Sequence, residues 1–141
     1  MATVFTKIID GEIPGRFVWR DERCVAFSTI SPLRPGHVMV VPIAEVDHWL
    51  ALDPDLAAHL FGVAQVIGQA LMSAFSPVRV GLVIAGLEVP HTHLHVIPID
   101  SEADLDFARA DHEASPASLD DAADALRSAL RAAGRTETAD S

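Results

Sequence analysis

The stretch from Pro54 to Phe75 constrains the fold most. Leu56, Leu60, Val63, Ile67, Leu71 and Phe75 recur at steps of three and four, which lines them along one face of a single long helix. Asp53 is placed as its N-cap, with Pro54 at the first helical position, and Ser76-Pro77 ends it. A long helix with one apolar stripe needs a broad surface to pack on. The rest of the chain offers short β-rich runs at residues 17–20, 24–27, 37–41, 78–85 and 91–97. Asp21-Glu22 reads as the turn between the first two, and the Pro- and Gly-containing residues 31–36 as the loop before the third. Pro42 and Pro98 are expected to stop the strands that precede them. A short helix over residues 3–9 comes first. A last helix is expected over residues 118–133, with Asp120, Asp121 and Asp124 near its start, Arg127 and Arg131 near its end, and Gly134 as terminator. Hairpins with segregated helices make an α+β fold: an antiparallel sheet of about five strands, a long central helix and a C-terminal helix.

At 141 residues the chain favours one domain. We place the main domain at 1–110, a loop and helix packed on it at 111–134, and a frayed tail at 135–141. The formal net charge of -10 argues against nucleic acid as a partner, because backbone phosphates are held by broad basic surfaces. A small anion gripped by a few local donors remains open. Cys24 is the only cysteine, so an intramolecular disulfide and a Cys-x-x-Cys metal knuckle are both excluded, and it reads as a small buried apolar residue. The N-terminus shows no basic region followed by an apolar run, and the apolar runs fall short of the ~20 residues of a membrane span. A cytoplasmic protein with no membrane partner is the expectation.

Three of the seven histidines stand at 91, 93 and 95. On a strand, alternate side chains share a face, so the three imidazoles would point one way and Thr92, Leu94 and Val96 the other. Neighbouring histidines would stand roughly 6.6 Å apart and the outer two roughly 13 Å apart. Such a row can serve one small ligand, but the three can hardly converge on one metal ion. Two chemistries remain open. A metal site would join two of the row to Cys24, His37, His48 or Asp47. A nucleophilic site would let one imidazole attack phosphorus while its neighbours bind the oxygens. The plain alternative is a solvent-exposed strand that happens to be histidine-rich.

The run His91-Thr92-His93-Leu94-His95-Val96-Ile97 resembles the signature of the histidine triad (HIT) family, His-φ-His-φ-His-φ-φ with φ apolar; only Thr92 departs. Phe5-Thr6-Lys7-Ile8-Ile9 with Glu12-Ile13-Pro14 is similar to the family's opening. The segments at 21–27, 30–32 and 35–42 are similar to its next blocks, in order, so the likeness spans roughly residues 4–99. The resemblance implies a homodimer that joins the two sheets. It implies a nucleotide hydrolase or nucleotidyl transferase, with nucleoside phosphoramidates or dinucleoside polyphosphates as substrates and no cofactor or metal. By position, His93 matches the nucleophile that forms a covalent nucleotidyl-histidine, His95 a donor to the phosphate oxygens, and His91 a member of the same network. Phe5, Ile8, Phe27 and Ile30 match the lining of a base slot.

Departures fall around the triad. Thr29 stands where the family often has a ribose-binding Asp. The Gly-rich loop before the triad is shortened to Ala85-Gly86-Leu87-Glu88, with Leu87 at the Gln position and Glu88 at the Ser/Thr position. Glu45 takes the place of a fourth histidine, and His48 lies one helical turn further on. Glu88 is expected either to donate a proton to the leaving group or to orient a triad histidine. His48 is a candidate substitute for the fourth histidine. His37 reads as structural, His59 and His112 as solvated, Trp19 and Trp49 as packing residues. A non-catalytic nucleotide-binding module and a metal-dependent hydrolase are the competing functions.

Overall fold

The computed structural model describes residues 2–141. The chain runs α1 (Val4–Ile9), β1 (Phe17–Arg20), β2 (Cys24–Ser28), β3 (Val38–Pro42), α2 (Pro54–Phe75), β4 (Arg79–Val83), β5 (Leu94–Ile99) and α3 (Pro116–Ala132), with 3-10 turns at Trp49–Ala51, Glu102–Leu105 and Phe107–Arg109. The strands form one sheet in the order β1-β2-β3-β5-β4, every neighbour antiparallel. This is the α+β architecture expected.

Alternation in the strands sorts the two faces. Cys24, Ala26, Val38, Val40, Leu94 and Val96 pack against α2 and α3. Val25, Phe27, Met39 and Val41 turn the other way and form a second cluster with Phe5 of α1 and Phe17. By length and composition α2 could span a membrane. Its stripe of Leu60, Val63, Ile67 and Leu71 is instead buried under the sheet, which marks it as a core helix. Asp53 caps it onto the Asp55 N–H with Pro54 in its first turn, as the sequence indicated.

Several boundaries differ from expectation, beginning with β3, which takes in Pro42. β5 begins at Leu94 rather than His91, because pairing with β3 runs out at Val40↔Leu94. Thr92 there gives its backbone N–H and its hydroxyl to Val46 O instead of joining the ladder. β5 also runs through Pro98 to Ile99. β3 has ended by Val38↔Val96, so β5 has only β4 beside it at Pro98, where a missing N–H is tolerated. α3 starts earlier than expected, capped by Ser115 with Pro116 in its first turn. The tail is not frayed: Arg20 N–H donates to Glu137 O, Ala139 N–H to Val18 O, and Trp19 bridges Thr138. The edge of β1 was open, and the tail satisfies its free backbone groups.

Candidate active site

His91 sits in the bend between Pro90 and β5 and is wholly buried. Both its ring nitrogens are used. Nε2 lies 2.7 Å from Pro42 O, a carbonyl that can only accept, so this nitrogen carries a proton. Nδ1 lies 2.7 Å from the Thr3 hydroxyl, which donates to that nitrogen when it is unprotonated. Thr3 is held in turn: its hydroxyl oxygen accepts Thr6 N–H, and its own N–H donates to Glu45 Oε1. Glu45 also accepts the Thr6 hydroxyl, and these bonds lower its carboxyl from the usual range. His91 therefore positions its neighbours and offers no free nitrogen to a ligand.

His93 follows, with Nδ1 2.7 Å from His91 O. Again the carbonyl can only accept, so Nδ1 carries the proton and Nε2 of the neutral ring is a bare lone pair. His95 is set the opposite way. Leu33 N–H donates to His37 Nδ1 at 3.0 Å, which puts the His37 proton on Nε2. That proton points at His95 Nδ1, 2.9 Å away. Nδ1 of His95 must accept, so its own proton sits on Nε2. Two neighbouring imidazoles, ring centroids 4.9 Å apart, thus present a lone pair and an N–H donor.

Burial keeps these rings neutral. It pushes His37 down to about 3, helped by the His95 ring, and His95 down to about 4, helped by His93. Burial also lowers His93, with His91 adding to the effect, while the hydrogen bond to His91 O and the charge of Glu88 oppose it. A neutral His93 near pH 7 is a competent nucleophile. When Nε2 forms a bond the ring becomes cationic, and His91 O, already on Nδ1–H, stabilises that charge.

The other candidates divide. Phe5 lies edge-on to His93 at 4.8 Å and to Phe27 at 5.5 Å. Both rings are buried, so they form a floor rather than an open slot; Ile8 is partly buried and Ile30 is exposed. Thr29 follows β2, its hydroxyl accepting Ser31 N–H. Glu88 is exposed, near enough to favour a charged His93, but among the described residues no hydrogen bond joins it to a triad histidine. His48 is not brought to the triad: it is exposed, caps a 3-10 turn through Leu50 N–H and stacks beside Trp49. The residue that sequence reasoning set aside is His37, which is buried and fixes the His95 tautomer. Its signal was available. It opens the strand that pairs with the histidine strand, at Val38↔Val96.

Of the metal ligands considered, His37 stands beside His95, His48 is exposed, and Cys24 lies on the helix-covered face of the sheet with Asp21 and His59, their ligand atoms within 4.8 Å of one another. There Asp21 accepts from Trp19 Nε1, His59 Nε2 and the Arg23 and Cys24 N–H groups, which brings it down to about 2 despite burial. The Cys24 thiol is pushed far up by burial and the Asp21 charge. This group braces the β1–β2 turn against α2; His59 is thus paired, not merely solvated. At the triad, two ring nitrogens remain open, Nε2 of His93 and Nε2 of His95.

A lone-pair imidazole beside an N–H imidazole, one held by the His91 carbonyl and the other by the His37 ring, defines a histidine-centred site suited to a phosphoryl group. The HIT domain model matches residues 10–102. The chain is 33% identical over 100 residues to "Protein hit" of Bacillus subtilis, covering 67% of this chain and 69% of that one. A crystal structure of a HIT family protein from Bacillus anthracis superposes with a TM-score of 0.67 at 40% identity, covering 72% of this chain and 75% of that one. The fold of a hypothetical histidine triad nucleotide-binding protein from Sulfolobus tokodaii matches with a TM-score of 0.81 at 24% identity, over 93% of each chain. The chain belongs to the HIT family.

Proposed function

We propose that the chain is a nucleotide hydrolase or nucleotidyl transferase that works through a covalent nucleotidyl-histidine on His93. Its substrates are nucleoside phosphoramidates or dinucleoside polyphosphates. His93 Nε2 attacks the α-phosphorus, forming an N–P bond, and the bond from phosphorus to the leaving group breaks. The leaving group departs with the electron pair and takes a proton from solvent. Water then attacks phosphorus, the N–P electron pair returns to His93 Nε2, the water's proton passes to solvent, and the nucleotide is freed. His95 Nε2–H binds a phosphoryl oxygen during both steps. Phe5 and Phe27 floor the nucleoside side, with Ile8, Thr29 and Ile30 around it, and Glu88 biases the charge of His93. Two copies pair as a homodimer.

The observation that carries this reading is the opposite tautomers of His93 and His95, each forced by a group outside the pair. An exposed histidine-rich strand would have no such fixation. Intact-protein mass spectrometry during turnover tests it, using adenosine and guanosine phosphoramidates and dinucleoside polyphosphates. The expected result is a nucleotidyl-sized adduct on the wild type, absent from His93→Ala, with product released in step. Binding without adduct or product would favour the non-catalytic module, consistent with Thr29 at the ribose position. Activity that vanishes in chelator would favour a metal-dependent hydrolase.

A further inference from the structure

The segment after β5 lies largely beyond the matched domain, which ends at residue 102. It is firmly attached. The Arg34 guanidinium bridges Asp100 at 3.0 Å and Asp104 at 2.7 Å. Asp100 also accepts Val78 N–H, Asp111 N–H donates to Pro32 O, and His112 meets the Ser31 hydroxyl. Between these anchors the turn Phe107–Arg109 is capped by Asp106 on Ala108 N–H.

That turn delivers one aromatic ring to the histidines. Phe107 stands edge-on to His95, centroids 4.9 Å apart, and 6.3 Å from His37. On the opposite side of the pair, Phe5 stands edge-on to His93. The two aromatics differ in burial: Phe5 is 6% exposed, whereas Phe107 is 42% exposed. A phenyl ring held by so many polar anchors, yet left open beside an imidazole with a free N–H, offers surface to something that binds there. The segment that carries it has the exposed acidic side chains Glu102, Asp106, Asp111 and Glu113, against Arg109. Glu88 adds a further negative charge on the His93 side.

We propose that Phe107 is a substrate-contacting residue that selects the leaving group, favouring an uncharged aromatic group and disfavouring an anionic one. This rests on the reading above, in which the nucleoside lies on the Phe5 side and the phosphate on His93 and His95. The Phe107 side is then left for the departing group. The ring supplies an apolar face for an aromatic partner, and the net negative charge of its segment opposes a polyphosphate.

The test compares adenosine phosphoramidates of phenethylamine and methylamine with diadenosine tetraphosphate, on wild type, Phe107→Ala and Phe107→Tyr. Wild type is expected to favour phenethylamine over methylamine, and both over the tetraphosphate, in kcat/KM. Phe107→Ala is expected to lose about 5- to 10-fold on phenethylamine, mostly in KM, with little change on methylamine. Phe107→Tyr should restore the preference. Equal losses on both amines, or a tetraphosphate turned over as fast as the phenethylamine compound, would overturn the proposal while leaving the His93 chemistry standing. No turnover of any of the three by wild type would bring down both together. The variants are expected to keep the wild-type melting curve, because the ring is half open to solvent.

Discussion

His37 and His95 show how much a single side chain can depend on its neighbours. In the unfolded chain both protonate near their ordinary 6.5; folded, burial holds them neutral to about 3 and about 4. Between those values the unfolded chain binds protons that the folded chain refuses. Stability is therefore full above pH 6.5 and falls as the pH drops from there toward 4. The slope is at most about 1.4 kcal/mol per pH unit for each ring. Urea unfolding at a series of pH values is expected to show the midpoint falling across that interval. His37→Asn, which keeps an N–H for His95 Nδ1 but cannot titrate, should fall less. An identical pH dependence in the variant would remove His37 from this account. The sequence placed the triad in one row and, through the family resemblance, gave His93, His95 and His91 separate roles. It could not show that one ring has no free nitrogen and that a fourth histidine sets the third, because tautomers follow from contacts such as Leu33 N–H on His37 that join segments distant in the chain.

Elements were legible where periodicity and caps agree. α2 carries a clean 3.6-residue stripe, an Asp cap and a first-turn Pro, and its ends fall at Pro54 and Phe75 as read. Strand ends were less legible, since pairing partners decide them: Leu94 starts β5 because its pairing with β3 ends at Val40, although β3 itself runs on to Pro42. The early start of α3 was written as Ser115-Pro116, a cap and first-turn Pro of the same kind as at α2. α1 makes the same point for function. It looks like a short amphipathic helix, yet its cap residue Thr3 is also the donor to His91. Thr3→Val removes both the cap and that donor, and a buried nitrogen left unpaired costs about 1–3 kcal/mol. The expected outcome is a lowered melting temperature together with reduced turnover at nearly unchanged KM. Thr3→Ser, which keeps the hydroxyl, should recover both. A loss of stability with turnover intact would confine Thr3 to capping α1.

At the scale of the whole molecule, the sheet is finished on one side and open on the other. The C-terminal tail covers β1, whereas β4 pairs only with β5 and leaves its outer edge bare. Unpaired strand edges invite further pairing. Here the edge is also apolar: Leu82 and Val78 are 41% and 69% exposed. Next to it lies a cleft of about 350 Å³ between α2 and β4, lined by Phe61, Met72, Val80 and Leu82 among others. Two copies meeting edge to edge across a two-fold axis would continue the sheet and cover both clefts, since such an interface is self-complementary. The active site would feel the pairing, because Val83 of β4 is the register partner of His95. Light scattering on the wild type is expected to give the mass of two chains. Leu82→Arg with Phe61→Glu places charge on both parts of the face without touching the buried core, and it should yield a folded monomer. Turnover should fall in that monomer, because β5 loses the support that holds His95 against His37. A wild type that stays monomeric at high concentration would end the dimer proposal. A dimer that survives both substitutions would move the interface to another face.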